Sequence, residues 1–261
     1  MRKLILSAVI ALLGYLSASA QVGEHRSDFA VGFNGGYVMS NVGFQPTVPQ
    51  GMHGGATGGL SMRYVCEKYF KTICSVYAEV NYASLGWKEN IRTEDDLPVY
   101  NAAIGANEEY SRTLNYIQVP VMAHLAWGRE VKGLNFYINL GPQFGYMLSE
   151  SVKTNYTLDN VIAPGTRDAN GVAIGRSSAT LAQDSLPVKY KFDYGIAGGI
   201  GVEYSVPKVG HFLAEARYYY GLGNIFGNSK RDEFGKSNYG NVVVKLAYLF
   251  DIAKTKNVTR K

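Results

Sequence analysis

The chain has 261 residues, of which 18% are charged and 13% are aromatic, and it contains 30 glycines and 20 tyrosines. This composition excludes a disordered chain, a coiled coil and a collagen, and it favours β structure. The formal net charge is +5, but Arg2 and Lys3 lie in the N-terminal segment and the residues after Phe250 are also basic. The part between them is close to neutral, so no folded face carries excess charge and we expect no nucleic acid partner.

The N-terminal segment has the features of a secretory signal peptide. A short basic start precedes an apolar stretch from Leu4 to Leu16, and Ala18-Ser19-Ala20 forms a small-residue cleavage site before Gln21. The apolar stretch is shorter than the roughly 20 residues that a membrane-spanning helix needs. The sequence therefore predicts a signal peptide over residues 1–20 and export of the mature chain.

The rest of the chain alternates strictly between apolar and polar residues, which is typical of β-strands and not of helices. For example, Ile117 and Val119 fall on an apolar face, and Gln118 falls on the opposite face. The alternating runs predict about eight strands, at roughly 28–40, 55–65, 72–87, 114–127, 134–148, 190–204, 211–221 and 239–250.

The length and spacing of these runs indicate a membrane protein. Most of the predicted strands have about ten residues or more, whereas strands of soluble proteins have about 5–6 and a tilted membrane-spanning strand needs about 9–11. Long and short connections alternate, which places all the short turns at one end. We predict an all-β fold, an eight-stranded antiparallel transmembrane β-barrel over residues 21–250, with short periplasmic turns, long extracellular loops and outer-membrane lipid around it. The alternative, a soluble sandwich or lipocalin-like barrel, would reverse the apolar and polar faces.

Two groups of residues bear on this prediction. Aromatic residues near the strand ends are expected to form the interfacial girdles of the barrel. They are Phe29, Tyr37, Tyr64, Tyr82, Trp87, Trp127, Phe136, Tyr146, Tyr218, Tyr220, Tyr248 and Phe250. Pro120 and Pro142 lie inside predicted strands, where proline removes a hydrogen-bond donor from the ladder. We expect a bulge or a break in pairing at each proline.

The same alternation directs a set of charged side chains into the lumen. They are Arg63, Glu79, Lys191, Asp193, Glu203, Glu215, Arg217 and Lys245. Eight strands enclose a lumen only wide enough for side chains, and buried charges stay ionised there only when they are paired and hydrogen-bonded. We predict a cross-linked polar plug, and the alternative is a narrow ion path.

Cys66 and Cys74 are the only cysteines. In an exported protein two nearby cysteines favour a disulfide, here one that closes the connection between two strands. The alternative is two packed thiols. A metal site is not expected because no histidine lies near them in sequence and zinc usually needs four ligands.

No set of residues in the sequence suggests catalysis. His124 is predicted to face the lumen as a satisfied interior histidine, because no serine is placed as its partner. Asp95 and Asp96 could form a carboxylate pair with His53, but adjacent residues seldom converge on one substrate, so we interpret them as solvated loop residues. We therefore expect no catalytic residue, no cofactor and no metal.

The longest predicted loop, residues 149–189, is the best candidate for an outward function. Loops longer than about 12–15 residues are usually functional or disordered. This loop contains Asn155, Tyr156, Asn160, Arg167, Asp168 and Asn170 and has little apolar content. Such a composition indicates adaptable surface contacts.

Several segments resemble a known family. The segment Asn115-Tyr116-Ile117-Gln118-Val119-Pro120-Val121 is similar to the N-Y-[IL]-x-[IVL]-P-[LV] strand of the PorT-type outer-membrane β-barrel proteins, which are widespread in bacteria of the Bacteroides group. Other segments fit the family in order and spacing. They are Gly35-Gly36-Tyr37, Glu79-Val80-Asn81-Tyr82, Leu140-Gly141-Pro142, Phe192-Asp193-Tyr194-Gly195 and Arg217-Tyr218-Tyr219-Tyr220-Gly221-Leu222.

The resemblance implies an eight-stranded outer-membrane barrel. Most members of the family have no assigned function, and the founding member takes part in protein export through the secretion route of this bacterial group. The sequence departs from the usual barrel ending because a basic segment, residues 251–261, follows the terminal aromatic Phe250. We interpret this segment as a periplasmic tail.

Three functions are compatible with the sequence. The leading one is a non-enzymatic barrel with a structural, scaffold or secretion-accessory role, whose partners would be envelope or secretion-system proteins. The alternatives are a small channel or ligand-binding barrel, and an outer-membrane hydrolase. The narrow, charge-balanced lumen argues against the channel, and the lack of a convergent histidine and nucleophile argues against the hydrolase.

Overall fold

The structure is a computed structural model, and it describes residues 24–129, 132–177, 182–227 and 232–254. The predicted signal peptide, residues 1–20, lies outside these residues, and so does most of the predicted tail, residues 255–261. In the part of the chain that the structure describes, no helix is long and apolar enough to cross a membrane.

Eight long antiparallel strands form most of the described chain. They are β1 (Glu24–Gln45), β2 (His53–Tyr69), β3 (Thr72–Glu89), β4 (Tyr110–Gly128), β5 (Gly133–Thr154), β6 (Phe192–Val206), β7 (Gly210–Gly221) and β8 (Lys236–Ala253). Each strand pairs with its neighbours in sequence, and β1 also pairs with β8, which closes the ring. The predicted eight-stranded antiparallel barrel is confirmed.

The connections differ in length at the two ends of the barrel. The connections of residues 70–71, 129–132 and 207–209 lie at one end, which we call the short-turn end. The connections of residues 46–52, 90–109, 155–191 and 222–235 lie at the other, the loop end. The loop end also carries two-residue strands at Gln50–Gly51, Tyr100–Asn101 and Ala106–Asn107, a 3-10 helix at Leu158–Asn160 and a short helix at Ala182–Ser185. The predicted alternation of short turns and long loops is confirmed.

Several strands are longer than the sequence pattern predicts. At the loop end, β4 and β5 stay paired as far as Tyr110 and Thr154, well beyond the roughly 9–11 residues that cross a bilayer. At the short-turn end, β8 continues to Ala253. The first residues of the predicted tail therefore belong to the last strand.

The faces of the strands have the polarity of a membrane barrel. The outward side chains of Leu246 and Phe33 are 68% and 62% exposed, whereas the inward side chain of Lys245 is 3% exposed. Of the predicted girdle, Tyr37, Tyr64, Tyr82, Trp127, Phe136, Tyr146, Tyr218, Tyr220 and Phe250 are exposed on the outside, and Phe29 and Tyr248 are half-buried. The apolar outer face excludes the soluble barrel, whose core would have to be apolar.

Trp87 is an exception, and its assignment to the girdle is wrong. Its side chain is fully buried in the barrel. Trp87 and Glu79 are separated by an even number of positions on β3, and residues so related point to the same side of a strand. An inward Glu79 therefore requires an inward Trp87.

The two prolines interrupt the ladder as expected. Between β3 and β4 the pairing stops after Asn81 with Gln118 and resumes at Ala78 with Val121, so Pro120 lies in the gap. Between β4 and β5 it stops at Pro120 with Gln143 and resumes at Ala123 with Leu140, so Pro142 lies in that gap. The register is the same on both sides of each gap. Both sites are breaks in pairing and not bulges.

The two cysteines lie at the short-turn end of the hairpin of β2 and β3. Val65 pairs with Ser75, and Glu67 pairs with Cys74. Cys66 lies between Val65 and Glu67 and has no partner in the ladder, so it is the extra residue of a β-bulge. Both cysteines are half-buried free thiols in the structure. The disulfide stays a prediction, and the bulge places Cys66 diagonally across from Cys74.

We expect Cys66 and Cys74 to form a disulfide when the barrel is folded under oxidising conditions, because export leads to such a compartment. Unreduced protein should then fail to react with a maleimide reagent and should take up two labels after reduction. The Cys66→Ser variant, in which Cys74 has no partner, should label without reduction. Equal labelling of the wild-type protein before and after reduction would contradict the disulfide.

Candidate functional site

The middle of the lumen holds four charged side chains, which we call the central cluster: Glu79, Glu215, Arg217 and Lys245. Arg217 donates to Glu79 over 2.9 Å and to Glu215 over 2.7 Å. Lys245 contacts Glu79 and lies 3.7 Å from Glu215. All four side chains are at most 4% exposed. Two carboxylates thus balance two cations in a buried ring of contacts across β3, β7 and β8.

Amide side chains complete the hydrogen bonds of the central cluster. Asn139 donates to Glu215 over 3.0 Å, and Asn81 donates to Glu79 over 2.8 Å. Asn34 donates in turn to Asn81 over 2.8 Å. These contacts bring β1 and β5 into the network. A buried ion pair is tolerated when its remaining lone pairs are satisfied in this way.

A second group lies nearer the short-turn end, and we call it the lower cluster: Arg63, His124, Glu203, His211 and Asp251. Arg63 donates to Glu203 over 2.6 Å. The other carboxylate oxygen of Glu203 lies 2.7 Å from Nδ1 of His211, and Nε2 of His211 lies 3.1 Å from Asp251. His124 is fully buried, and its Nδ1 lies 2.8 Å from Oδ1 of Asn139. Asn139 therefore connects the two clusters.

The sequence-predicted lumen residues are not all in these clusters. The structure brings Arg63 together with Glu203, and Glu79 together with Glu215, Arg217 and Lys245. Asp193 is buried nearer the loop end and accepts a hydrogen bond of 2.6 Å from Tyr219. Lys191 is exposed, and its assignment to the lumen is wrong because β6 begins only at Phe192.

Ser205 resembles a nucleophile, because its Oγ lies 2.8 Å from His211 and His211 contacts Asp251. However, each ring nitrogen of His211 faces a carboxylate, Glu203 on one side and Asp251 on the other. Two such neighbours favour the protonated imidazole, which has no lone pair to accept the serine proton. Ser205 itself is 2% exposed and also contacts Glu203 over 3.1 Å. The group is an ion-pair network and not a catalytic triad.

Aromatic side chains fill the loop end of the lumen. The ring of Phe44 lies 5.4 Å from that of Trp87 and 4.7 Å from that of Phe234, and the rings of Trp87 and Phe226 are 6.0 Å apart. The guanidinium of Arg112 lies over both Trp87 and Phe226, at 5.5 Å and 5.3 Å. It also pairs with Glu150. We call these aromatic residues and Arg112 the loop-end cap.

The two longest loops are joined by a buried arginine. Arg176 donates to Glu108 over 2.7 Å and to Asp184 over 3.1 Å, and its guanidinium lies 4.6 Å from the ring of Tyr156. Tyr156 donates to Asp184 over 2.7 Å. Burial raises the pKa of Tyr156, so its hydroxyl keeps the proton that it donates.

The interpretation of the predicted loop 149–189, which the structure places at residues 155–191, as an adaptable contact surface is therefore wrong for Tyr156, which is only 6% exposed. Asn155 is also bound to the neighbouring loop, because its side chain donates to the carbonyl of Asn107 over 2.7 Å. Arg167 is exposed and pairs with Glu94. Between Asn155 and Arg176 the described part of the loop contacts residues 90–109 at several positions.

The alternative carboxylate site does not assemble. Asp95 accepts a hydrogen bond from the amide of Ala173, and Asp96 pairs with Arg92. His53 lies 3.4 Å from Thr113 instead. In the described ranges no group of three or more histidine, cysteine, aspartate or glutamate side chains could hold a metal ion.

A cavity of about 360 Å³ lies at the short-turn end of the lumen, next to the lower cluster. All eight strands contribute to its wall, from Arg26 on β1 to Asp251 on β8, and the turn of residues 207–209 contributes Lys208. The sequence pattern did not predict this cavity. The sequence did indicate one of its lining residues. Asp251 is an even number of positions from the inward Lys245 on β8, so both side chains point into the lumen.

A family model identifies the chain as a β-barrel, and several solved structures are similar to it. A family model described as an outer membrane protein beta-barrel domain matches residues 19–227. Ail of Yersinia pestis, solved with the heparin analogue sucrose octasulfate, is 14% identical over 85% of this chain and 99% of that chain, with a TM-score of 0.36. Neisserial surface protein A is 13% identical over 87% of this chain and 100% of that chain, with a TM-score of 0.41. OprG from Pseudomonas aeruginosa is 12% identical over 87% of this chain and 98% of that chain, with a TM-score of 0.39. No curated protein matches the chain.

The central cluster is expected to be essential for stability. The Glu79→Ala variant leaves Arg217 and Lys245 with an uncompensated buried charge, so we expect the free energy of unfolding to fall by about 3–5 kcal/mol. Urea unfolding of the barrel in lipid vesicles, followed by tryptophan fluorescence, measures this loss. The control is Glu94→Ala, which removes an exposed ion pair with Arg167 and should cost less than about 1 kcal/mol. Equal losses in the two variants would show that the central cluster does not stabilise the barrel.

Proposed function

Because the chain belongs to the outer membrane protein beta-barrel domain family, we propose that it is a PorT-type, non-conducting and non-enzymatic barrel with a structural, scaffold or secretion-accessory role in the envelope. The protein is located in the outer membrane. Its short-turn end faces the periplasm, as in barrels of this kind. Its loop end faces outward.

The observation that carries this proposal is the filled lumen. An eight-stranded barrel encloses a lumen that side chains can fill and that holds at most one small ligand, and here the central cluster joins carboxylates and cations from opposite parts of the ring. The loop-end cap covers the same lumen from outside with packed aromatic rings. An ion path would require buried ion pairs to separate, which is costly when each charge loses its partner.

The scaffold or secretion-accessory role is supported by the resemblance to the PorT-type proteins at Asn115–Val121. The structure places this segment on β4, in the centre of the barrel wall. The surfaces left for partner proteins are the outward loops and the periplasmic end. We propose that partners among envelope or secretion-system proteins bind at the periplasmic end, where the basic segment of residues 251–261 begins.

A non-conducting barrel should give no steady current. We expect planar-bilayer recordings of the purified, folded wild-type protein to show no stable conductance steps across a range of voltages. The double variant Glu79→Ala with Arg217→Ala removes two long side chains from the lumen. It is the matched control, because a current through this variant would show that the recordings can detect an opened lumen. Steady single-channel conductance from the wild-type protein would overturn the plugged barrel and favour the channel.

The scaffold role predicts partners that depend on the periplasmic tail. A tagged full-length protein, solubilised from outer membranes, should co-purify with a defined set of envelope proteins identified by mass spectrometry. A chain that ends after Lys254 keeps β8 and the contact of Lys254 with Asp251, so it should insert normally and lose these partners. Recovery of the barrel alone from both chains would contradict the scaffold role.

A further inference from the structure

The cavity at the periplasmic end contains polar side chains whose hydrogen bonds are incomplete. Ser75 and Asn135 line it, at 5% and 2% exposure, and neither Oγ of Ser75 nor Oδ1 of Asn135 has a hydrogen-bond partner among the described residues. The same holds for Nε of Arg63 and Nε2 of His124, which also line the cavity. A buried polar atom without a partner costs free energy, and most such atoms in proteins have one. Four in the wall of one cavity indicate a place for a polar ligand.

The charge of the wall favours an anionic group. The cationic lining residues are Arg26, Arg63, Lys68, Lys208, His211 and Lys254, and the acidic ones are Asp28, Glu203 and Asp251. Each acid already contacts a cation: Asp28 lies 4.0 Å from Arg26, Glu203 binds Arg63, and Asp251 lies 2.7 Å from Lys254. With six cationic and three acidic side chains, the wall has an excess of positively charged groups.

The unsatisfied atoms are of two chemical kinds. Arg63 Nε is a donor, and the Ser75 hydroxyl can donate, so both suit a carboxylate. Asn135 Oδ1 is an acceptor. His124 Nε2 is an acceptor too, because Asn139 uses its amide nitrogen on Glu215 and so offers its oxygen to Nδ1–H of His124. A ligand that satisfies both kinds carries a carboxylate together with an ammonium group.

We propose that the cavity is a periplasmic binding site for a small amino-carboxylate, such as a free amino acid or the free end of a short peptide. Its volume of about 360 Å³ is in the range of small-molecule sites. The carboxylate binds Arg63 and Ser75 near Lys208, and the ammonium group binds Asn135 and His124. The lower cluster lines the cavity, and the central cluster fills the lumen beyond it, so the ligand is bound and does not cross the barrel. This inference does not depend on the scaffold role.

The first test measures which ligand groups are needed. Isothermal titration calorimetry of the folded full-length barrel in detergent micelles uses alanyl-alanine with both ends free, its N-acetylated form and its C-amidated form. We expect saturable binding of the free dipeptide, and binding at least about tenfold weaker for either capped form, because each cap removes a charge-assisted hydrogen bond. Absence of saturable binding, or equal binding of all three dipeptides, would overturn the proposal.

The second test assigns the site to the cavity. Ser75→Ala should weaken binding of the free dipeptide about tenfold, because a hydrogen bond to a charged group is lost. The matched control is Ser84→Ala on the same strand, where Ser84 does not line the cavity. Lys208→Glu should also weaken binding about tenfold and reduce its dependence on salt. Its control is Lys71→Glu, an exposed lysine in another short turn.

Each variant is first checked for the heat-modifiable folded band on a gel. If Ser75→Ala and Lys208→Glu fold normally and bind like their controls, the site is not in this cavity and the proposal fails. Competition by free alanine, or by soluble muropeptides released from peptidoglycan, supports the site and distinguishes the two sources of the ligand. Muropeptides that compete would identify the cell wall as the source.

Discussion

The constraint on which the structure depends is the small lumen of a closed ring of eight strands. Every second residue of each strand points into a narrow space that side chains largely fill. Charged residues in that space are removed from bulk water, so each needs a partner of opposite charge or hydrogen bonds. Glu79 meets this need through both Arg217 and Lys245. The pairing explains why the inner face can be polar while the outer face contacts lipid.

The layers of the lumen are connected to one another and to the loops. Asn139 on β5 contacts Glu215 of the central cluster and His124 of the lower cluster. At the other end, Arg112 on β4 packs on Trp87 and Phe226 and so joins the barrel wall to the loop of residues 222–235. A change in one layer therefore alters the hydrogen bonds of the next. The barrel and its loop-end cap form one packed unit.

The alternation of side chains between the two faces of each strand predicted many of the lumen residues from the sequence. It placed Glu79, Arg217 and Lys245 inside correctly, because a strand interior has a fixed two-residue period. The errors lie at strand ends. Lys191 precedes the first residue of β6 and is exposed, and Asp251 was assigned to the tail although β8 continues past it. Strand boundaries depend on pairing with neighbours, which the local pattern does not contain.

The contacts between loops could not be predicted from the sequence, for a different physical reason. Arg176 binds Glu108, and the two residues are 68 positions apart, in segments with no regular period. Nothing local to Arg176 distinguishes it from Arg167, which pairs with Glu94 at the surface. Only the closed barrel brings the two loops together, because the strands that precede and follow them are neighbours in the ring.

The two ends of the lumen are chemically different: aromatic side chains fill the loop end, and polar side chains line a cavity at the periplasmic end. The loop end is closed by aromatic packing around Trp87. The periplasmic end keeps a cavity with incomplete hydrogen bonds at Ser75 and Asn135. Packed rings are stable without a ligand, whereas buried polar atoms gain free energy from one. The binding site that we propose for a small polar molecule therefore lies at the periplasmic end, where the cavity is.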